Sequence, residues 1–311
     1  MRIATRAASL LLACFIAGAG AASALAQDAI GAEALTGTLA KIKKTHTIAI
    51  GYRDASVPFS YLNAARDPGM RQPIGYSIDI CLDLVEDIRG ELGDDTIQVR
   101  WLPVTPQTRI AMVVDGRVDL ECGQTTNNAE RRKEVAFSPI IFVSGTKLMV
   151  KRGSKLRSYR DLKASTVVAT EGSTNAAAVK TIDAKLQLGA KLTLVRDNEQ
   201  AFQALDAGKA DAWAGDDAIL YATAAESKTP KDFVVLDEFL SYDPYGIMYR
   251  KNDPQLDALV KKSFEKLAET RELARIYEQW FLRKLPSGRT LGLSMSPQLE
   301  GIFESLGQPT E

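Results

Sequence analysis

Asp119-Leu-Glu-Cys-Gly-Gln-Thr-Thr-Asn-Asn-Ala-Glu-Arg-Arg132 begins as the end of a strand and finishes as the start of a helical turn. Between the two lie hydroxyls, amides and backbone donors, with Arg131 and Arg132 just beyond. Free N–H groups at a helix start, together with an arginine fork, suit capture of a small anion such as a carboxylate. The stretch has an echo. Gly116-Arg-Val-Asp119 followed by Gly123 recurs as Gly208-Lys-Ala-Asp211 followed by Gly215. Each copy follows a helical apolar pattern and leads into a polar strand end, which implies two similar helix–turn–strand units in two lobes that face one cleft.

The rest of the chain bounds what such a cleft can belong to. With 311 residues and 45% hydrophobic content, there is material for two α/β domains with proper cores. Lys+Arg and Asp+Glu both number 39, and a balance of this kind argues against a nucleic-acid-binding surface or a polybasic membrane patch. Specific binding has to come from a local site. At the N-terminus, Arg2 and Arg6 precede an apolar run from Ala7 to about Ala22, and Ala24-Leu25-Ala26 makes a small-x-small cleavage site before Gln27. Residues 1–26 are therefore expected to be a cleaved export signal, in preference to a membrane anchor or to lipid attachment at Cys14. Export leaves Cys81 and Cys122, either bridged or as two buried thiols, because an exported compartment permits a disulfide. Neither has the neighbours of a nucleophile or a zinc site, and no metal or cofactor is expected.

Taken in order, the pattern predicts a helix at Thr36–Lys44 and a strand at His46–Gly51 that stops at Gly51-Tyr52-Arg53. Arg53 thus stands at a carboxyl strand end, the ligand side of an open α/β sheet. After a polar insertion at Ala64–Pro73, a helix capped by Ser77 runs to about Leu92 with Ile78, Leu82, Val85 and Ile88 on its inner face. A strand at Thr96–Leu102 precedes a helix at Gln107–Asp115, which places Arg109 near the same strand ends. Strands are expected at Val135–Phe142 and Gly145–Arg152. The pattern then restarts: a short helix at Leu156–Lys163, a strand at Thr166–Thr170, and Gly172-Ser173-Thr174-Asn175 opening a long helix as a second anion cradle. Lys191–Val195, a helix from Asp197, and a strand ending at Gly215-Asp216-Asp217 follow. Those two carboxylates can receive an ammonium or cap the next helix. A strand at Phe233–Phe239, a return strand at Tyr242–Tyr249, helices at Pro254–Leu267 and Glu272–Leu282, and a tail with a short helix near Leu299–Leu306 complete the chain.

Gly51-Tyr-Arg-Asp-Ala-Ser-Val-Pro-Phe-Ser-Tyr61, Gly75-Tyr-Ser-Ile-Asp79, Glu121-Cys-Gly-Gln-Thr-Thr-Asn-Asn-Ala-Glu-Arg131, Ala136-Phe-Ser138 and Gly246-Ile-Met-Tyr-Arg-Lys-Asn-Asp-Pro254 stand in the order of one known family. From about Leu39 to beyond Leu285 the chain resembles the periplasmic substrate-binding proteins of ABC transporters for polar amino acids, most of all the glutamate/aspartate-binding branch. The resemblance implies a two-lobed α/β fold, the type II periplasmic binding protein fold, with two strands crossing the hinge near Val143–Met149 and Tyr242–Tyr249. Lobe 1 would comprise residues 38–145 and 247–285, lobe 2 residues 146–246, and residues 286–311 a C-terminal extension.

Residue by residue, the resemblance gives Arg131 the α-carboxylate, helped by Thr126 and by Thr174 next to Ser173. It gives Asp216 the α-ammonium, with Asp217 the weaker candidate, and Arg53 and Arg109 the side-chain carboxylate. Gln124, Thr125 and Asn198 complete the expected site. Three arginines against one acid would complement two carboxylates and one ammonium, each charge-assisted hydrogen bond contributing roughly 1.5–3 kcal/mol. Gln124 stands where the branch usually has serine, and Asn198 where it has histidine. Both changes bear on preference among aspartate, glutamate, their amides and related dicarboxylates. The function implied is a monomeric, non-enzymatic receptor that delivers an acidic amino acid to an ABC permease. Two other classes are weighed against it. One is a cleft enzyme such as a dehydratase, with Asp216 or Glu121 as base, since His46 is the only histidine and stands at the very start of the first strand. The other is a sensory module using the same pocket.

Overall fold

A computed structural model describes residues 34–63 and 72–310. The export signal, Cys14 and most of the polar insertion expected at Ala64–Pro73 lie outside the described residues. Helix α1 (Gly37–Thr45) leads into β1 (Thr47–Tyr52), a mostly buried Ile-Ala-Ile strand. Short strands β2 (Ala55–Ser56), β3 (Ser60–Leu62) and β4 (Pro73–Ile74) form a small antiparallel sheet. Helix α2 (Tyr76–Leu92) then begins at Gly75 and ends at Gly93 in the left-handed conformation. Gly75 has φ 138°, and a Cβ there would lie 2.3 Å from the Phe59 carbonyl oxygen, so only glycine lets the chain enter this helix. Strand β5 (Gln98–Pro103), helix α3 (Arg109–Val114), β6 (Leu120–Glu121) and β7 (Val135–Phe137) follow.

Strand β8 (Phe142–Ser144) carries the chain into a second sheet. That sheet is built from β9 (Thr146–Lys151), β10 (Thr166–Thr170), β11 (Lys191–Val195), β12 (Ala212–Asp216) and β13 (Phe233–Val235), with helices α4 (Thr174–Leu186), α5 (Asn198–Asp206) and α6 (Asp217–Glu226). Strand β14 (Asp243–Tyr245) pairs antiparallel with β8 and brings the chain back to β15 (Met248–Arg250) in the first sheet. Helices α7 (Pro254–Glu269), α8 (Glu272–Tyr277), a π turn at Glu278–Leu282 and α9 (Pro297–Ser305) close the chain.

The two five-stranded sheets have the same plan. Their orders are β5-β1-β6-β15-β7 and β11-β10-β12-β9-β13. In each, the strand in the second position, β1 or β10, lies parallel to its neighbours on both sides, and the strand in the fourth position is antiparallel. In both sheets the carboxyl ends of the parallel strands carry the polar residues of interest. The expected two-lobed α/β architecture with two crossing strands is what the chain adopts.

An aromatic cluster fixes the crossing strands to the first lobe. Phe142 of β8 and Tyr245 of β14 pack against Phe59 at centroid distances of 4.9 and 5.2 Å, and Phe142 stacks on Phe281 at 4.9 Å. Such pairs add about 0.5–1.5 kcal/mol each beyond the area they bury. Cys81 of α2 is bonded to Cys122 just after β6, so one bridge, not two free thiols, is present.

Several local expectations give way. Leu82 is exposed at 38%, because the inner stripe of α2 runs through Ile78, Cys81, Val85 and Ile88, and Leu82 sits roughly 90° from its centre at 100° per residue. Ser77 lies inside the helix instead of capping it. The strand expected at Val135–Phe142 divides at Ser138-Pro139, where Ser138 Oγ accepts from Ile247 N at 2.9 Å, since proline cannot donate to a ladder. The helix expected at Leu156–Lys163 is one 3-10 turn, Tyr159–Asp161. Phe233–Phe239 is strand only to Val235.

Candidate functional site

The carboxyl ends of β1, β6, β10 and β12 converge with the crossing strand β14. Arg53 follows β1 directly. Its backbone N donates to Ser60 Oγ at 2.9 Å, while its guanidinium makes no hydrogen bond among the described residues. Arg109 opens α3, and its Nη1 donates to Thr125 Oγ1 at 2.6 Å and to the Gln124 carbonyl at 3.2 Å. Its Nε is buried without a partner. Arg131 opens the 3-10 turn Arg131–Lys133; its Nη1 donates to the Thr126 carbonyl at 2.9 Å and its Nη2 to the Gly172 carbonyl at 3.4 Å. All three arginines are buried. Burial, reinforced by Arg109, lowers Arg53 to about 10 and Arg131 to about 9, and both remain charged at neutral pH. Burial also lowers Arg109, against the opposing pull of Glu121 and Asp216.

Three carboxylates share this region. Glu121 ends β6 with no exposed surface; its Oε2 accepts from Thr125 Oγ1 at 2.6 Å and its Oε1 has no partner. Asp216 ends β12 and accepts from Asn175 Nδ2 at 2.8 Å. Burial, and then the neighbouring Asp243 carboxylate, push Asp216 up to about 6. Asp243 of β14 accepts from Thr126 Oγ1 at 3.3 Å and from Thr146 Oγ1 at 3.4 Å. The sequence-level count of one acid against three arginines is thus corrected: Glu121 and Asp243 belong to the same buried cluster. Asp217 is directed elsewhere. It accepts from Ser144 Oγ at 2.6 Å and from Ala218 N at 2.8 Å, at the start of α6.

The remaining expected residues divide between the cleft and its support. Thr125 is fully buried, with its hydroxyl shared between Arg109 and Glu121. Thr126 Oγ1 stands 3.3 Å from Thr174 Oγ1 across the cleft. Ser173 caps α4, accepting from Ala176 N at 3.2 Å. Asn198 begins α5; its Oδ1 accepts from Thr170 Oγ1 at 3.0 Å and its Nδ2 is buried without a partner. Gln124 is buried, and its Oε1 is also unpaired. Gln107 Nε2 bridges the lobes, donating to the Glu171 carbonyl at 2.9 Å and the Arg196 carbonyl at 3.3 Å.

Sequence reasoning missed Asn175, Asp243 and Thr146. Asn175 follows the Gly-Ser-Thr turn and was legible as part of it. Asp243 and Thr146 sit on the crossing strands, and no local pattern distinguishes them. Among the described residues no group of His, Cys, Asp and Glu could hold a metal ion, and no helix is long and apolar enough to cross a membrane.

The cleft can therefore hold a small zwitterion with a further polar end: anion donors at Arg131, Thr126 and Thr174, a carboxylate at Asp216, and two buried guanidiniums at the far end. Comparison with known proteins identifies the family. The model of a family described as bacterial extracellular solute-binding proteins, family 3, matches residues 48–283. An L-glutamate/L-aspartate-binding protein of Pseudomonas aeruginosa is 41% identical over 284 residues, covering 91% of this chain and 93% of the relative. A glutamate/aspartate import solute-binding protein of Salmonella typhimurium is 33% identical over 297 residues, 95% and 96% of the two chains. The solved structure of an ancestral arginine-binding protein bound to glutamine is 28% identical, with a TM-score of 0.66 over 76% of this chain and 99% of that one. The family match and the two relatives bear out the resemblance read from the motifs, and the chain belongs to the bacterial extracellular solute-binding proteins of family 3.

Proposed function

We propose that this chain is an exported receptor that captures an acidic amino acid, glutamate or aspartate, and delivers it to an ABC permease in the membrane. Arg131, Thr126, Ser173 and Thr174 hold the α-carboxylate. Asp216, steadied by Asn175, takes the α-ammonium. Arg53 and Arg109 receive the distal carboxylate, flanked by Gln124 and Asn198, while Thr125 holds Arg109 in place. Residues 38–145 with 247–285 act as one lobe and residues 146–246 as the other. Residues 286–311 form the C-terminal extension, and residues 1–26 are the signal removed on export. Closure of the two lobes on the ligand is the event the permease reads.

One observation carries this reading. Two buried guanidiniums stand together at the strand ends, and their free nitrogens include the buried Nε of Arg109. A buried charge needs a partner, and a ligand carboxylate supplies one. The names of the relatives support the same class of ligand and a receptor in preference to an enzyme. Gln124 Oε1 and Asn198 Nδ2 favour a second reading. An unpaired acceptor and an unpaired donor suit a ligand that ends in an amide, as in glutamine or asparagine.

The test is to denature the purified protein and identify what it releases. An acidic amino acid approaching one molecule per chain is expected, and the same molecule is expected to be recovered unaltered after prolonged incubation. Release of an amide or a basic amino acid would contradict the ligand assignment, and conversion of the ligand would contradict the receptor.

A further inference from the structure

Glu121 has no part in the ligand contacts above, yet it is a buried carboxylate that acts on both distal arginines. It closes β6 with no exposed surface. Its Oε2 is engaged by Thr125, which in turn holds Arg109. Its Oε1 points into the space that Gly123 leaves open: a Cβ on Gly123 would lie 2.4 Å from Glu121 Oε1 and 3.0 Å from Arg53 Cγ. The backbone is bare at Gly123, and that places a carboxylate oxygen beside the Arg53 side chain. Glu121 favours the charged form of both Arg53 and Arg109. Neither arginine comes within 4 Å of the Glu121 carboxylate as a salt bridge among the described residues, so the Arg53 guanidinium and the Arg109 nitrogens that Thr125 and Gln124 do not engage stay available to a ligand. Of the other acids that act on Arg53, Asp54 is exposed and Asp197 half-buried, so solvent screens their charge more than that of Glu121.

Asp216 also acts on Arg109 but is matched by the ligand ammonium, and Arg131 by the ligand α-carboxylate, so the two distal guanidiniums and the buried Glu121 carboxylate leave a single positive charge at the distal end. In a desolvated site charge has to balance, because an uncompensated ion is costly. We propose that Glu121 is a specificity-determining residue: it sets the distal half of the cleft to accept one singly charged carboxylate and to turn away a doubly charged group of similar size, such as a phosphate monoester or phosphonate. This rests on the acidic amino acid reading above and adds a rule for which acidic ligands are taken.

The test compares O-phospho-L-serine with L-glutamate as ligands of the full mature chain, by calorimetry at pH 7.5, in wild type and Glu121→Gln. The ratio of the two affinities is the readout. A loss of structural support weakens both ligands together and leaves the ratio unmoved. The expected result is a wild type that binds glutamate and disfavours phosphoserine, and a variant in which the ratio shifts at least tenfold toward phosphoserine. A second measurement uses wild type alone, in case the variant fails to fold. The phosphate of phosphoserine loses its second charge below its ionisation near ~6. Lowering pH from 7.5 to 5.5 is therefore expected to raise the phosphoserine-to-glutamate ratio severalfold. Asp216 also titrates in this range and acts on Arg109, so the ratio of O-sulfo-L-serine to L-glutamate, both singly charged at the distal end at either pH, is measured alongside and is expected not to move. Glutamate binding with an unmoved phosphoserine-to-glutamate ratio in both experiments would overturn the role of Glu121 while leaving the receptor reading intact. A wild type that binds neither L-glutamate nor L-aspartate would overturn both.

Discussion

Asp119 and Asp211 hold the same place in the two sheets. Asp119 Oδ2 accepts from Ala49 N at 2.9 Å, and Asp211 Oδ2 accepts from Thr166 N at 2.8 Å. Each also donates its own backbone N–H to the carbonyl of that same residue, at 2.8 Å in both cases. Each follows a glycine with φ 69°, Gly116 in one copy and Gly208 in the other. Their surroundings differ. Asp119 is buried and receives Lys41 Nζ at 2.7 Å, whereas Asp211 is exposed. Asp119→Ala is therefore expected to lower stability by about 1–3 kcal/mol, since it strands the buried Ala49 N–H, and Asp211→Ala by about 1 kcal/mol or less. Denaturant unfolding of the two variants checks this; equal losses would contradict the assignment of burial.

The bond between Cys81 and Cys122 spans 41 residues and anchors α2 to the segment that carries Glu121 and Gln124. Restraining the unfolded chain over such a loop contributes roughly 2–4 kcal/mol. Unfolding midpoints with and without reductant are expected to differ accordingly. An unchanged midpoint with free thiols detected would show that the bridge adds nothing to stability.

Asp216 makes both stability and binding depend on pH. Its ordinary value is 3.8, and in the folded protein burial and Asp243 raise it to about 6. Between those values the folded protein holds a proton that the unfolded chain has released. This group therefore lowers stability as pH rises through that window, and its unfavourable contribution is complete above about 6. A ligand ammonium favours the carboxylate and expels the proton. Affinity is expected to fall as pH drops below about 6, with proton release on binding near that pH. Calorimetric titrations in two buffers of different ionisation enthalpy measure the release. Identical enthalpies in both buffers, with affinity flat from pH 5 to 7, would contradict this role for Asp216.

Much of this was legible in sequence because it rests on local chemistry. The paired Gly-x-x-Asp turns, the Ser173 cap of α4 and the end of β1 just before Arg53 each follow from a few consecutive residues. Leu82 misleads because a stripe drawn through Ile78 and Val85 can be extended to either neighbouring ridge, and only packing chooses between them. The wider misses come from distance along the chain. Asp243 reaches Thr126 across 117 residues, and Phe142 meets Phe281 only after both crossings are made. Charge counting failed for the same reason. Glu121 was legible only as a candidate base of a cleft enzyme, and its action on Arg53 and Arg109 came from the fold.

Arg53 provides the most direct test of the distal clamp, because its guanidinium makes no hydrogen bond among the described residues. Calorimetry should compare L-glutamate, L-aspartate, L-glutamine and L-asparagine on protein refolded to remove carried-over ligand, for wild type, Arg53→Ala and Arg109→Ala. The acids are expected to bind more tightly than the amides. That margin is expected to shrink by roughly ten- to a hundredfold in Arg53→Ala, matching about 1.5–3 kcal/mol for a charge-assisted hydrogen bond, with little change in melting temperature. Arg109→Ala is expected to lose both the margin and stability, since Thr125 and Glu121 lose their cation. Amides bound as tightly as the acids, or acids bound equally well without Arg53, would contradict the assignment of the distal end to a carboxylate.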